Sequence, residues 1–354
     1  MENLVLNYTD SEDAASPGDF VDWGSAYPLS KIIRFGVDSL CATTGALGVF
    51  GNFVTMLIIS KWKNMSSGAA FMFSLALSDF LSVIYNGFID MARPLFGWTI
   101  TGLSDWVCKF SMYWSFATSL ASFYATVLFS ADKCTAVMFP FFYRQHGKPK
   151  VAIIATVIMY FLLLVWTFPT VLVFRVHPLT GFCRAINFDF VSEEFFRGLR
   201  NQIGSFINGI IPITSVFLFT TITLIKMKIL DRKRAANRSQ TTSPAGRRDQ
   251  EITRQMIVVC IIFTTFGFVF AVCIRVLLGL GKVMSYKDEM RIQILLSIVR
   301  LCQAVMNSVN FYLYLLFGQK FRKNFFELFP RGNTRTQRES VASNPNKKIS
   351  APVK

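Results

Sequence analysis

Two charge placements in this chain are unusual enough to do chemistry. Adjacent opposite charges, Asp132 and Lys133, close a long apolar run in FSADKCTAVMFPF, and a lone carboxylate, Asp79, sits inside another, FSLALSDFLSVIY. A carboxylate and an ammonium side by side can hold each other, or exchange each other for a third group. A carboxylate at the centre of an apolar helix is costly and calls for partners on neighbouring helices. Asn52, Asn307, Asn310 and Ser122 stand at similar depth in other apolar runs. With Asp79 they would form an oxygen cluster suited to a monovalent cation such as sodium, to a water network, or to a satisfied polar packing core. Catalysis is not expected: the only histidines are His146 and His177, and no paired carboxylates or nucleophile motif emerges. The same scarcity of histidine argues against a zinc site.

The elements that must position these groups follow from composition. The chain has 354 residues, 52% hydrophobic and 16% charged, with a formal charge of +16. Soluble domains carry about 25% charged residues, so an integral membrane protein is indicated. The bases gather in short segments between apolar runs, which suits membrane topology and argues against nucleic acid as a partner. A span needs roughly 20 apolar residues as a helix. Seven stretches meet that demand, at about 33–60, 69–92, 106–138, 150–175, 203–229, 254–280 and 291–317. Their length and lack of strict alternation favour helices over a barrel. The fold class expected is therefore an all-α membrane protein, a seven-helix bundle over 33–317.

Orientation follows the bases. Lys61 and Lys63 follow the first span, Arg144, Lys148 and Lys150 the third, a dense group from Lys226 to Arg248 the fifth, and Lys320, Arg322 and Lys323 the seventh. Residues 1–30 hold six acids and neither Lys nor Arg. The N-terminal 1–32 is thus expected outside and the tail, 330–354, inside, with Asn7 in NYT as a glycosylation acceptor. Phe321, Phe325 and Phe329 recur every fourth residue among bases, predicting an amphipathic helix over 318–329 on the inner membrane surface. No Cys follows it, so a palmitoyl anchor is not expected there. Cys108 and Cys183 are the cysteines at the outer boundary, where an oxidising environment favours a disulfide tying the outer loop to the third span. Cys41, Cys134, Cys260, Cys273 and Cys302 read as small buried residues.

Taken in order, the residues resemble the rhodopsin-like (class A) G-protein-coupled receptors along essentially all seven spans. The matches are GN at Asn52, LALSD ending in Asp79, Cys108 opening the third span, Asp132 with a base 25 residues after that Cys, and Pro140 seven further on. Trp166, Pro212 and NFYLY with Asn310 and Tyr314 continue the series. The resemblance implies that Asp132 and Lys133 form a switch at the inner end of the third helix, with Asp249 as a clamp on the same base. It also implies roles in activation for Pro212, Phe263, Asn310 and Tyr314. Partners implied are an extracellular peptide or small ligand, a heterotrimeric G protein, arrestin, receptor kinases and the lipid bilayer of the plasma membrane; no cofactor is expected, sodium at Asp79 being one of the alternatives above. Three switches depart from the family. Lys133 and Cys134 replace Arg and Tyr, Phe266-Gly267-Phe268-Val269 replaces Cys-Trp-x-Pro, and Phe311 replaces Pro. Lysine lacks the planar fork that binds two acceptors at once, so locking and coupling should both change.

For the ligand, the position that carries Asp in amine receptors is Ser115, and the retinal-binding Lys position is Ala304. Arg300, Arg275 and Asp90 stand toward the outer ends of their spans. Arg300, with Arg275, could receive an anionic group or a peptide carbonyl. Equally, Asp90 and Arg300 could form a salt bridge that only staples two helices. Trp98, Tyr113, Trp114 and Phe116, with Gly267 deeper, would line the pocket or merely pack it. A neuropeptide, as for FMRFamide-type receptors, is the ligand class expected. A chemosensory receptor for small anions, or a weakly signalling scavenger, is the alternative.

Overall fold

The computed structural model describes residues 28–63, 65–89, 100–176, 183–185, 203–204, 206–236, 258–259, 261–273 and 286–328. Helix α1 runs Pro28–Ser60, and α2 runs Ser67–Val83 and continues as a π-helical turn, Ile84–Ile89. The 34-residue α3 spans Asp105–Met138, followed by the short α4, Pro140–His146, and by α5, Pro149–Thr167. A single turn, α6 (Thr170–Val173), leads into strand β1 (Phe174–Val176), which pairs antiparallel with β2 (Cys183–Ala185). A second π turn, Phe206–Ile210, opens α7, Ile211–Ala236. Then come α8 (Ile261–Cys273), α9 (Tyr286–Phe317) and the amphipathic α10 (Gln319–Leu328). Helices α1, α2, α3, α5, α7, α8 and α9 occupy the seven apolar stretches, and five of them are long and apolar enough to cross a membrane on composition alone. Of the other two, α8 is apolar but shorter over its described residues, and α3 is more polar, with Asp105 and Lys109 near its start and Asp132 and Lys133 near its end.

Local chemistry sets the boundaries. Ser66 and Ser104 cap α2 and α3, each hydroxyl accepting from the backbone N–H three residues on at 3.3 Å. Pro140 and Pro149 open α4 and α5, where a missing N–H costs nothing. Pro212 cannot donate to the carbonyl four residues back, and the backbone before it widens into the π turn.

A stripe of glycines on α1 lets its neighbours approach. A Cβ on Gly45 would stand 3.1 Å from the Cα of Gly87 on α2, and one on Gly51 would stand 2.8 Å from the Cβ of Phe311 on α9. Gly48 likewise faces Ser308. Small residues at this spacing bring helices close enough to pack in lipid, where burial between helices gains little. The bundle core at the Asp132 end joins Val54, Ile58, Phe71, Phe129, Phe311, Tyr314 and Phe321. At the other end Cys108 of α3 bonds Cys183 of β2, and Asp105 accepts the Val176 N–H at 2.8 Å. The hairpin, not anticipated in an all-α reading, is thereby pinned twice to the start of α3.

Candidate functional site

Asp79 is fully shielded on α2. Its Oδ1 accepts the Ser122 hydroxyl of α3 at 2.5 Å and its Oδ2 accepts the Asn310 amide of α9 at 2.8 Å. Ser122 also lies 3.1 Å from Asn307 Oδ1. Two of the four expected partners therefore bond the carboxylate, and a third, Asn307, joins it through Ser122. Asn52 does something else: its amide donates to the backbone carbonyl of Asn307 at 2.8 Å, tying α1 to α9. One carboxylate with hydroxyl and amide oxygens is a donor set that fits sodium, which takes oxygen ligands of mixed charge. Among the described residues no cluster of three His, Cys, Asp or Glu stands ready for a transition metal.

The cluster does not end at Asp79. Asn307 donates to Ser82 Oγ at 2.9 Å, and the Gln303 amide reaches Ser82 at 3.3 Å and also bonds Ser119. Asn86, inside the π turn of α2, donates to Ser82 and Ser119 at 3.2 Å each. Its carbonyl oxygen accepts the Ser115 hydroxyl at 2.7 Å. A continuous hydrogen-bonded seam thus runs from Ser115 to Asp79. Ser82, Asn86, Ser119 and Gln303 were missed in the sequence. Their signal was present as three helical stripes at three- and four-residue spacing: 79, 82 and 86; 115, 119 and 122; 303, 307 and 310.

The other expected ligand-site residues disperse. Consecutive positions on α3 point about 100° apart. Tyr113 donates to the Leu164 carbonyl of α5 at 3.4 Å, Trp114 stacks on Phe110, and Phe116 meets Phe174 of β1. Arg300 is half-buried on α9, three residues before Gln303. Asp90, Trp98, Arg275, Asp249 and Asn7 lie outside the described residues. On α8, Phe263 stands edge-on to Phe123 of α3 at 5.9 Å, and Phe270 meets the same ring from one further turn pair away at 5.7 Å. Gly267 lies between them, and a Cβ there would come within 3.0 Å of Ile213, one residue past Pro212. A larger side chain at Gly267 would therefore meet Ile213 at its first carbon. Phe311, where the family has Pro, is buried at the junction of α1, α9 and α10, edge-on to Phe50, Phe321 and Phe325.

At the far end of α3, Asp132 is buried and surrounded. Ser67 of α2 donates to its Oδ1 at 2.7 Å, Tyr143 of α4 reaches both oxygens at 3.1 and 3.2 Å, and Lys133 pairs with Oδ2 at 3.3 Å. Lys133 also lies 4.9 Å over the Phe129 ring and fills the space where a Gly68 side chain would be. Burial, and then the negative charge of Asp132, push the Tyr143 hydroxyl up to about 12, so it stays a donor. Neither Ser67 nor Tyr143 was foreseen: a hydroxyl brought in from a neighbouring element carries no spacing signal.

This arrangement has relatives. The 7 transmembrane receptor (rhodopsin family) model matches residues 51–314. The chain is 26% identical to the Allatostatin-A receptor of Bombyx mori over 336 residues, 91% of this chain and 87% of that protein. It is 23% identical to the FMRFamide receptor of Drosophila melanogaster over 299 residues, 80% of this chain and 52% of that protein. A G-protein coupled receptor homolog, Q2/3L, of Sheeppox virus (strain KS-1) is 25% identical over 42% of the chain. With its polar core around Asp79, its tethered hairpin and the family match across the bundle, the chain belongs to the rhodopsin family of seven-transmembrane receptors.

Proposed function

We propose that this receptor binds an extracellular peptide at the disulfide end and activates a heterotrimeric G protein at the Asp132 end, with its N-terminus outside the cell. Support for the peptide comes from the two relatives named for peptides, each at low identity. Support for the orientation comes from the bases that follow α1, α3, α7 and α9. The observation that carries the signalling half is the latch at Asp132, where groups from α2, α3 and α4 hold one carboxylate. Displacing α4 or α3 would free both Asp132 and Lys133, and a loosened charge pair is what a cytoplasmic partner can capture. Sodium at Asp79 would stabilise the resting packing of α2, α3 and α9. Arrestin and receptor kinases would act on the same end and the tail.

Co-expression with a panel of G proteins, challenged by amidated and free-acid peptide libraries, tests this. Nucleotide exchange driven by a peptide is expected; ligand uptake with no exchange on any G protein would sink the signalling reading. Two variants probe the latch. Lys133→Arg should strengthen agonist-driven exchange, because Arg offers a second donor pair. Gly68→Ala should raise ligand-independent exchange by displacing the ammonium from Asp132. Basal and driven rates unchanged in both would exclude a switch role for the pair.

A further inference from the structure

The β1–β2 hairpin sets two like charges side by side. Its register places Arg175 directly opposite Arg184, and like charges at directly opposite positions destabilise a ladder. Successive strand positions alternate between the two faces. Phe174 meets Phe116 of α3 and Cys183 is bonded to Cys108, so one face lies on α3. Arg175, between Phe174 and Val176, is exposed on the other face, and its guanidinium pairs with no carboxylate among the described residues. Asp105, the acid that pins this hairpin, is engaged by the Val176 N–H at 2.8 Å. Each guanidinium is a planar fork of donors that matches a carboxylate, so the outward face of the hairpin is built to receive acids.

We propose that the acidic cluster Asp10-Ser11-Glu12-Asp13 of the chain's own N-terminal segment docks on this arginine pair, carboxylate to guanidinium. Three observations favour this occupant. The segment ahead of α1 leaves the bundle at the hairpin's end, because α1 closes with Val54 and Ile58 in the core at the Asp132 end and therefore opens at the disulfide end. The charge is concentrated there too. Residues 1–27 hold six acids and neither Lys nor Arg, whereas 186–200, which follow β2, hold Asp189, Glu193 and Glu194 against Arg197 and Arg200. Length suffices as well. Asp13 stands 15 residues before Pro28, up to about 50 Å of extended chain. Two helix-packing distances put only roughly 20 Å between α1 and α3. A flexible tether of this kind holds the cluster at an effective concentration of about a millimolar, so exposed ion pairs too weak to join separate molecules are populated within the chain. An acidic group on an incoming peptide would meet the same two guanidiniums and must displace the cluster; that consequence alone rests on the peptide reading above.

Zero-length coupling in the full chain, purified in detergent, tests the contact. Arg175→Lys keeps the charge at an exposed position and supplies an amine. A carbodiimide joins that amine to a touching carboxylate as an amide, and peptide mass spectrometry identifies the acid. Coupling to Asp10, Glu12 or Asp13 is expected, and its loss when Asp10→Asn, Glu12→Gln and Asp13→Asn are combined. Coupling instead to Asp105, Asp189, Glu193 or Glu194, or to no acid at all, overturns the proposal. A labelled tri-glutamate peptide gives a second measurement that needs no coupling. It should bind the neutralised triple variant roughly fivefold tighter than wild type, the scale of two exposed ion pairs, and lose that gain when Arg175→Gln is added. Equal binding to wild type and to the triple variant means that the arginines stand uncovered, and overturns the docking. Neither measurement uses an agonist or a G protein. A failure here therefore leaves the receptor reading standing, and a failed nucleotide-exchange test leaves the docking standing.

Discussion

Helix α3 has two faces that solve the same packing problem in opposite ways. Toward α2 and α9 it presents Ser115, Ser119 and Ser122 to a seam of directed hydrogen bonds ending at Asp79. Toward α7 and α8 it presents Phe123 to Phe263, Phe270 and Val216, a contact of rings and aliphatic carbon. Hydrogen bonds tolerate little displacement before they fail, whereas edge-to-face rings keep most of their attraction over a range of separations. The polar seam therefore fixes the register of α2, α3 and α9, and the aromatic seam is where α8 can move against α3. Gly267 and Ile213 lie on this aromatic side. With no large aromatic at Gly267, a shift of α8 would reach α3 through Phe123 and its two partners.

Breaking the aromatic seam should cost most stability. Phe123→Ala empties the centre of the cluster and is expected to lower stability by about 3 kcal/mol, measured as Tm of the purified receptor. Phe123→Leu, which keeps most of the volume, should recover most of that loss while weakening agonist-driven exchange. A Leu variant that signals normally would mean that the rings only fill space.

Breaking the polar seam at its root should cost less but change the response to salt. Asp79→Ala leaves the Ser122 hydroxyl and the Asn310 amide without their acceptor, and about 2 kcal/mol is expected. The wild-type Tm should rise when sodium replaces a large organic cation, and Asp79→Ala should lose that rise. A sodium effect that persists in the variant would move the cation elsewhere.

Much of this contrast was legible before the fold was known. The span boundaries follow from runs of apolar residues, and Asp79, Ser122, Asn307 and Asn310 were legible because a buried charge demands partners. The middle of the polar seam went unread because Ser82, Ser119 and Gln303 carry no charge. A serine in an apolar helix more often bonds its own backbone, as Thr126 does with the Ser122 carbonyl. Tyr143 and Ser67 went unread for a different reason. Asp132 is reached across α4 and α2, and the approach depends on tertiary geometry that no periodicity encodes. The aromatic substitutions were visible as departures, but only packing shows that Ile213 lies against Gly267 and that Phe311 bridges α1 to α10.

Tyr143 extends the directed kind of contact beyond the membrane, where pH can reach it. Its hydroxyl titrates higher in the folded protein than the usual tyrosine near 10. The sign follows: the stability it contributes is present below pH 10 and is lost as pH rises toward 12, because the unfolded chain ionises first. Tyr143→Phe should therefore flatten the alkaline limb of Tm against pH relative to wild type. An unchanged limb would place the titration on another tyrosine.

The smallest expected effect is the most discriminating one. Gln303 bonds Ser82 and Ser119 in the middle of the polar seam, touching neither Asp79 nor the rings. Gln303→Leu keeps the volume and removes both bonds, for about 1 kcal/mol or less in a bundle where broken interhelical hydrogen bonds find other partners. If the seam only sets register, Tm falls slightly and agonist potency is unchanged. If it also links Ser115 to the Asp79 core, sodium's effect on agonist potency should weaken in Gln303→Leu while its effect on Tm stays. That split separates a hydrogen-bonded seam that transmits from one that merely holds, because Gln303 braces Ser82 on the path Ser115–Asn86–Ser82–Asn307–Ser122–Asp79 and lies outside the cation's own ligands.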